Sequence, residues 1–277
     1  MGEFPEGIFS SGIFNNVGSD GTGKAGNINI RTGSLSLSDR AVLNVSNFGQ
    51  GDAETIFVQA DSSISLLNSN IFSNVSGGAV GNGGVVNISA GSLSLIDGSQ
   101  IVAAVGDGLD SLSGGRGNGG NVNIDVRNFF SADGTNGDGL SSGVFTSVGS
   151  GAVGKGGNVD IRASSLYFTN GAFIFASTFG QGNAGDVTIN VRDGITFAGF
   201  NSYGFSAGIF STVETGGVGN GGDINLRSGS LSLTDGAQIG ASTFGQGNAG
   251  NVALDVSDTI SLQGSSSDGF SVEFSVL

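Results

Sequence analysis

Tandem repetition is the feature that most restricts the fold of this chain of 277 residues. A glycine or alanine precedes a short alternation of polar and apolar residues at eight places, separated by 27, 31, 36, 37, 28, 37 and 28 residues. These anchors are Gly26, Ala53, Gly84, Gly120, Gly157, Gly185, Gly222 and Gly250. Units of this length indicate a stacked-repeat architecture, because a single unit cannot bury its apolar face without its neighbours.

Apolar residues recur with a period of two within each unit. In Asn-Ile-Asn-Ile (27–30) and Ser-Leu-Ser-Leu (34–37) every second residue is apolar, which is typical of strands with one face in a core. A third short stretch follows, such as 238–242, and turn dipeptides such as Asp235-Gly236 separate the strands. We therefore expect three strands per unit and no amphipathic helix.

Three short strands bury their inward residues if the chain coils and equivalent strands of successive units pair in parallel, about 4.8 Å apart. The sequence thus predicts an all-β fold: a single right-handed parallel β-helix, or β-solenoid, with three short strands per rung and about eight to nine rungs. Residues 1–6 are interpreted as an added or disordered start, and residues 7–277 as one continuous β-helix. The inward residues should form ladders: Val122, Val159, Val187, Ile224 and Val252 in the first strand, and Leu43, Ile71, Ile101, Val144, Ile174, Ile209 and Ile239 in the third.

Long and short units alternate, and the extra residues of the long units form predicted loops. Three inserts, near 133–142, 198–206 and 263–268, lie between the second and third strands, whereas a fourth, near 106–116, follows a third strand. The candidate contact residues on these loops are Phe200, Tyr203, Phe205 and Phe270. Such aromatic rings either stack on sugar rings or pack each loop onto the rod.

A ladder of charged and amide residues is predicted on the outer face of the first strands. Five residues beyond successive anchors stand Asp125, Arg162, Asn190, Arg227 and Asp255. Each arginine lies between acidic or amide neighbours, and opposite charges facing each other across paired strands stabilise the register. The unit of repetition is accordingly a pair of rungs. The alternative is that these are solvated surface charges without a shared role.

The formal charge of −14 and the absence of histidine and cysteine exclude several classes of function. No basic patch is present to neutralise phosphates, so we expect neither nucleic acid nor an anionic membrane surface as a partner. No run is long and apolar enough to insert into a membrane. Triads with histidine or cysteine and thiolate or histidine metal sites are excluded, and the sequence predicts no cofactor and no metal.

Carboxylates remain as candidate catalytic groups, since paired acids on an outer face are able to hydrolyse glycosides. Asp125, Asp160, Asp186 and Asp223 are placed on the first-strand face. However, Asp186 and Asp223 stand at positions that carry asparagine in other units, which favours a ladder role. A further alternative is an ice- or carbohydrate-binding face made of serine rows, such as Ser92 and Ser94.

Three motifs in fixed order resemble a known family. They are Gly-Asn-Ala-Gly-Asp-Val-Thr-Ile-Asn (182–190), Gly-Ser-Leu-Ser-Leu-Thr-Asp-Gly-Ala-Gln-Ile (229–239) and Ala-Ser-Thr-Phe-Gly-Gln-Gly-Asn-Ala-Gly (241–250). The chain is similar to the repeats of filamentous-haemagglutinin-like large exoproteins, particularly cyanobacterial ones. The resemblance implies a β-helical adhesin that is exported by two-partner secretion and displayed at the cell surface. The secretion domain of that family has no counterpart here, so we expect an interior part of a longer array.

The expected function is a structural or adhesive rod of a secreted or surface-displayed bacterial exoprotein, without catalysis. Its expected partners are glycans or the surface of a host or neighbouring cell. The alternatives are a β-helical polysaccharide-acting enzyme and a carbohydrate- or ice-binding module. We also expect end-to-end self-association, because neither 7–17 nor 276–277 resembles a polar cap.

Overall fold

The computed structural model describes residues 10–106, 114–264 and 274–275, which contain β-strands and no helix. The strands of the first half are short: β1 (Gly12–Phe14), β2 (Ile28–Thr32), β3 (Leu35–Ser38), β4 (Val42–Asn44), β5 (Ile56–Ala60), β6 (Ser63–Leu67), β7 (Asn70–Phe72), β8 (Val86–Ala90), β9 (Ser92–Ile96), β10 (Gln100–Val102), β11 (Val122–Val126), β12 (Phe129–Asp133) and β13 (Gly143–Phe145). Long and short strands alternate in the second half: β14 (Val159–Thr169), β15 (Phe173–Phe175), β16 (Val187–Ala198), β17 (Gly208–Phe210), β18 (Ile224–Thr234), β19 (Gln238–Gly240), β20 (Val252–Gln263) and β21 (Phe274–Ser275).

Equivalent strands of successive repeats pair in parallel, as predicted. The third strands form a nine-stranded sheet in the order β1-β4-β7-β10-β13-β15-β17-β19-β21. The first and second strands belong together to a twelve-stranded sheet, within which β14, β16, β18 and β20 pair in that order. Inward ladders follow from this register, since Ile174 pairs with both Val144 and Ile209 and all three side chains are fully buried.

The first two strands of a repeat are separate in the first four repeats but continuous in the last four, where the sequence predicts two short strands. The backbone amides of Ser164 and Ser165 both donate to the carbonyl of Asn128, so β14 passes the bend as a bulge instead of ending. The inward residues on either side of this bend are alternately five and six positions apart, as in Ile30 to Leu35 and Val58 to Ile64. Two consecutive repeats therefore differ in local geometry.

The core lies between the two sheets and is made of aliphatic side chains with three stacked phenylalanines. Phe168 packs edge-to-face against Phe130, at a ring-centroid distance of 5.0 Å, and against Phe197, at 5.9 Å. All three are fully buried. Burial of apolar area in successive equivalent layers stabilises the stack as a whole, because each layer covers the next.

Glycine is required at the corner that connects one repeat to the next. Gly182 has a φ of +143°, which side-chain-bearing residues rarely adopt, and a β-carbon there would overlap the carbonyl oxygen of Gly154 in the preceding repeat. Gly154 has the same relation to Gly117, and Gly117 to Gly81. This column explains why Gly-Asn-Gly-Gly and Gly-Asn-Ala-Gly recur in the sequence.

Candidate binding groove on the nine-stranded sheet

Phenylalanine side chains cover part of the outer face of the nine-stranded sheet. In β15, which reads Phe-Ile-Phe, the central Ile174 points into the core, so alternation places Phe173 and Phe175 on the outside. Phe145 and Phe210 stand at the position of Phe175 in the neighbouring strands. These rings belong to an apolar cluster separate from the core.

Phe173 is the centre of this aromatic cluster although it lies outside the core. Its ring contacts Phe145, Phe175 and Phe210 edge-to-face, at centroid distances of 5.3, 5.8 and 6.0 Å. Phe173 is 3% exposed, because its neighbours and the insert 198–206 cover it. Aromatic pairs in such geometry stabilise one another by about 0.5–1.5 kcal/mol beyond area burial. The cluster therefore forms a closely packed apolar floor.

One wall above this floor is the insert 198–206, which is a narrow hairpin closed by a Phe200–Ser206 bridge. Asn201 fixes its tip, since its Oδ1 accepts hydrogen bonds from the amides of Tyr203 (3.0 Å) and Phe205 (2.9 Å). Phe205 is 46% exposed, and its ring lies 6.0 Å from that of Phe173. The insert thus presents an aromatic edge to the groove.

The opposite wall consists of three residues at one corner position in successive repeats. Phe179 contacts Phe175 in a tilted arrangement at 5.8 Å, Glu214 follows in the next repeat, and Phe244, 61% exposed, follows in the third. The Thr212 hydroxyl donates to Glu214 Oε1, and Thr212 is itself bonded to Ser177. The carboxylate is therefore held in a defined orientation at the lip of the groove.

Two adjoining cavities make up the groove, one of about 350 Å³ over Phe173, Phe175 and Phe205, the other of about 260 Å³ beside Phe244. Phe210, Glu214 and Gln238 line both. Gly240 takes the place of Phe175 and Phe210 in the floor of the second, and among the described residues a β-carbon there would come within 4 Å only of Phe210, at 3.6 Å. Gly240 therefore contributes no side chain to this part of the floor.

Some of the predicted loop residues line the groove, and others form contacts between two inserts. Phe205 lines the groove, while Tyr203, 57% exposed, lies over Gly139 of the insert 133–142. Asn201 Nδ2 also donates to Ser141 Oγ at 3.1 Å, so the two inserts contact each other. Phe200 is half-buried at the base of its hairpin. Phe270 and residues 265–268 and 107–113 of the other inserts lie outside the described residues.

Most residues of the groove were not predicted from the sequence. Phe173, Phe175, Phe179, Phe210, Glu214 and Gln238 were not among the predicted candidates. The signal was available, because Phe173 and Phe175 flank an inward isoleucine and must therefore point outward in a strand. Alignment of the corners also places Phe179, Glu214 and Phe244 at one position.

Comparisons with protein-family models, curated proteins and solved structures find no match for this chain.

The predicted charge ladder occupies adjacent positions on the twelve-stranded sheet. Asp125, Arg162, Asn190, Arg227 and Asp255 are successive register partners. Arg227 Nε donates to Asp255 Oδ2 at 2.8 Å, whereas Arg162 forms its ion pair within its own strand, with Asp160 at 3.3 Å. The contribution of the charge ladder to stability stays a prediction.

The candidate carboxylates Asp186 and Asp223 bond to the backbone of the following repeat. Asp186 Oδ1 accepts from the Asp223 amide at 2.8 Å, and Asp223 Oδ1 accepts from the Asn251 amide at 2.7 Å. Asn158 and Asn121 accept in the same way in earlier repeats. The side-chain oxygen at this position therefore completes the turn of its neighbour, which asparagine and aspartate do equally well. The part of the chain that the structure describes contains no group of three metal-ligating side chains.

Serine, threonine and tyrosine hydroxyls form a row on the outer face of the second strands. Its members are Ser36, Ser65, Ser94, Ser131, Tyr167, Thr196, Ser232 and Ser261. Tyr167, 44% exposed, projects from this row, and Phe129, 40% exposed, projects beside it, at the position two residues before Ser131. A flat lattice of hydroxyls, which an ice-binding surface needs, is interrupted there.

Within the described ranges no helix is long and apolar enough to cross a membrane.

Proposed function

We propose that the chain folds as a single right-handed parallel β-solenoid with three strands per rung and about eight to nine rungs. We further propose that it is a structural and adhesive rod of a secreted or surface-displayed bacterial exoprotein, of the filamentous-haemagglutinin-like kind. The observation that carries this proposal is the parallel pairing of equivalent strands from β1 to β21. Nine strands spaced by about 4.8 Å extend over roughly 40 Å.

The distribution of side-chain roles supports a rod that makes contacts along one side. Amide and carboxylate oxygens such as those of Asn158 and Asp186 are engaged in holding the next repeat. The inserts 133–142 and 198–206 and the aromatic groove lie on or beside the nine-stranded sheet, where a partner is able to approach along several repeats. The proposed partner is a glycan or a neighbouring cell surface.

A polysaccharide-acting enzyme receives less support from the arrangement of the acids. General acid–base hydrolysis needs two carboxyl groups on opposite sides of a glycosidic bond. Asp186 and Asp223 are instead joined to the backbone of the next repeat, and Asp160 is paired with Arg162. These contacts favour the rod over the enzyme.

Small-angle scattering and a cell-attachment assay test the two parts of this proposal. The distance distribution from scattering should match a single coil instead of two separate sheets. Beads coated with the chain should attach to bacterial or eukaryotic cells, whereas beads coated with heat-denatured chain should not. A distance distribution that a single coil cannot reproduce would contradict the solenoid, and equal attachment by native and denatured chain would contradict adhesion.

A further inference from the structure

We propose that the groove on the nine-stranded sheet binds a neutral polysaccharide, whose hexose rings stack on the aromatic walls and whose hydroxyls bond to Glu214 and Gln238. This inference rests on the proposed adhesive function and names the ligand class and the residues that bind it. The groove consists of the two cavities that share Phe210, Glu214 and Gln238.

The aromatic residues are placed to stack along an extended chain of sugars. Phe179, Glu214 and Phe244 stand at the same corner position in three consecutive repeats, so they are spaced by about 4.8 Å along the stack. This spacing is close to the length of one hexose unit in an extended polysaccharide. An aromatic, a carboxylate and a second aromatic therefore face successive parts of such a chain.

The electrostatics of the groove favour a neutral ligand over an acidic one. Among the described lining residues of the two cavities, Glu214 is the charged one, and none is lysine or arginine. The chain carries a formal charge of −14. Sulfated or uronic-acid polymers are repelled by this charge, whereas neutral hexoses are not.

The polar groups of the groove favour a saccharide over a second copy of the chain or an apolar peptide. A partner that covered Glu214 and Gln238 with apolar atoms would leave the second carboxylate oxygen of Glu214 and the Gln238 side-chain amide without water, since the Thr212 hydroxyl bonds to Oε1. A hexose presents apolar C–H faces to Phe179 and Phe244 and hydroxyls at its edges. A hexose therefore contacts the aromatic rings and the polar side chains at the same time. Ligand sites of this kind combine apolar walls with a few polar groups.

Affinity electrophoresis in native gels tests this proposal with hydroxyethylcellulose, mixed-linkage β-glucan and galactomannan as neutral probes and dextran sulfate as an acidic one. The wild type should be retarded by at least one neutral polymer and not by dextran sulfate. Phe244→Ser should weaken retardation about three- to tenfold, which is the loss expected for one stacking ring. Glu214→Gln should also weaken it, since the charged acceptor is lost.

Gly240→Leu is the most informative variant because it adds apolar surface while filling the second cavity. Among the described residues a β-carbon at Gly240 meets only Phe210, at 3.6 Å, so we expect folding to be kept and retardation to be lost. The matched control is Phe48→Ser: Phe48 holds the same corner position in the first repeat, is 40% exposed and lies outside the groove. It should bind as the wild type does. Melting curves and sedimentation of each variant check folding and self-association.

Three results would overturn the proposal: no retardation of the wild type by a neutral polymer, unchanged or stronger binding by Gly240→Leu, or equal loss in Phe48→Ser. Self-association that Gly240→Leu abolishes, without any binding to the neutral polymers, would assign the groove to a second copy instead. The cell-attachment assay separates the two proposals. If the Gly240→Leu variant still attaches to cells, the adhesive rod is supported and the groove is not the site of attachment. If the wild type does not attach, the adhesive rod is contradicted.

Discussion

The outer faces of the two sheets differ although both rest on the same buried ladders. The twelve-stranded sheet carries small hydroxyl and amide side chains in rows, and these bond to each other, as Ser131 does to Ser94 at 3.1 Å. The nine-stranded sheet carries phenylalanines, Gly240 and the hairpin 198–206, which differ from one repeat to the next. Inward positions must repeat because each layer packs on the next, whereas outward positions are free to diverge.

The largest effect is expected at the corner that both faces share. Gly182→Ala should destabilise the chain by about 4 kcal/mol, because φ is +143° and the new β-carbon overlaps the Gly154 carbonyl oxygen. Unfolding in urea, followed by circular dichroism, measures this loss. Gly137→Ala is the control, since a β-carbon there meets nothing within 4 Å. A loss similar to that of Gly137→Ala would show that the stability of the chain does not depend on the stacked glycines at this corner.

The next effect compares the two outer faces directly. Phe173→Ala should cost about 3 kcal/mol, because this outward residue is 3% exposed among four other rings. Ser94→Ala, in the hydroxyl row, should change the free energy of unfolding by less than about 0.5 kcal/mol. Urea midpoints at a common m-value measure both. Equal costs would mean that the aromatic cluster contributes no more to stability than the row of serines.

The sequence was sufficient to predict the repeating part of the fold and insufficient for the groove. Alternation identifies Ile174 and Ile209 as inward residues and predicts their parallel pairing, because burial of a ladder is a local and repeated property. That Phe173 is buried depends on the hairpin 198–206, which lies some thirty residues further along the chain. Nor does alternation predict that Gly240 leaves a gap, since a gap depends on the side chains of neighbouring repeats.

A smaller effect is expected for the charges on the twelve-stranded face. Arg227→Glu would replace the attraction to Asp255 by repulsion, and it should lower the free energy of unfolding by about 1 kcal/mol at low salt. Both side chains are exposed, so 1 M salt should remove most of the difference. Arg162→Glu has the same chemistry beside Asp160 and serves as a comparison. A loss that is unchanged by salt would point to packing of the arginine stem and not to the charge ladder.

The smallest effect concerns an exposed carboxylate at the corner between the faces. The Asn82 amide donates to Asp52 Oδ1 at 2.8 Å, and this hydrogen bond, with Lys24 nearby, holds the pKa of Asp52 below its ordinary value. Since the folded pKa is the lower one, the stabilisation is present above the unfolded pKa, near about 4, and is lost as the pH falls through the folded pKa. Asp52→Asn should therefore make stability less dependent on pH below about 4. Urea midpoints of both chains between neutral and strongly acidic pH measure this, and parallel curves would show that the Asp52 contact does not stabilise the corner.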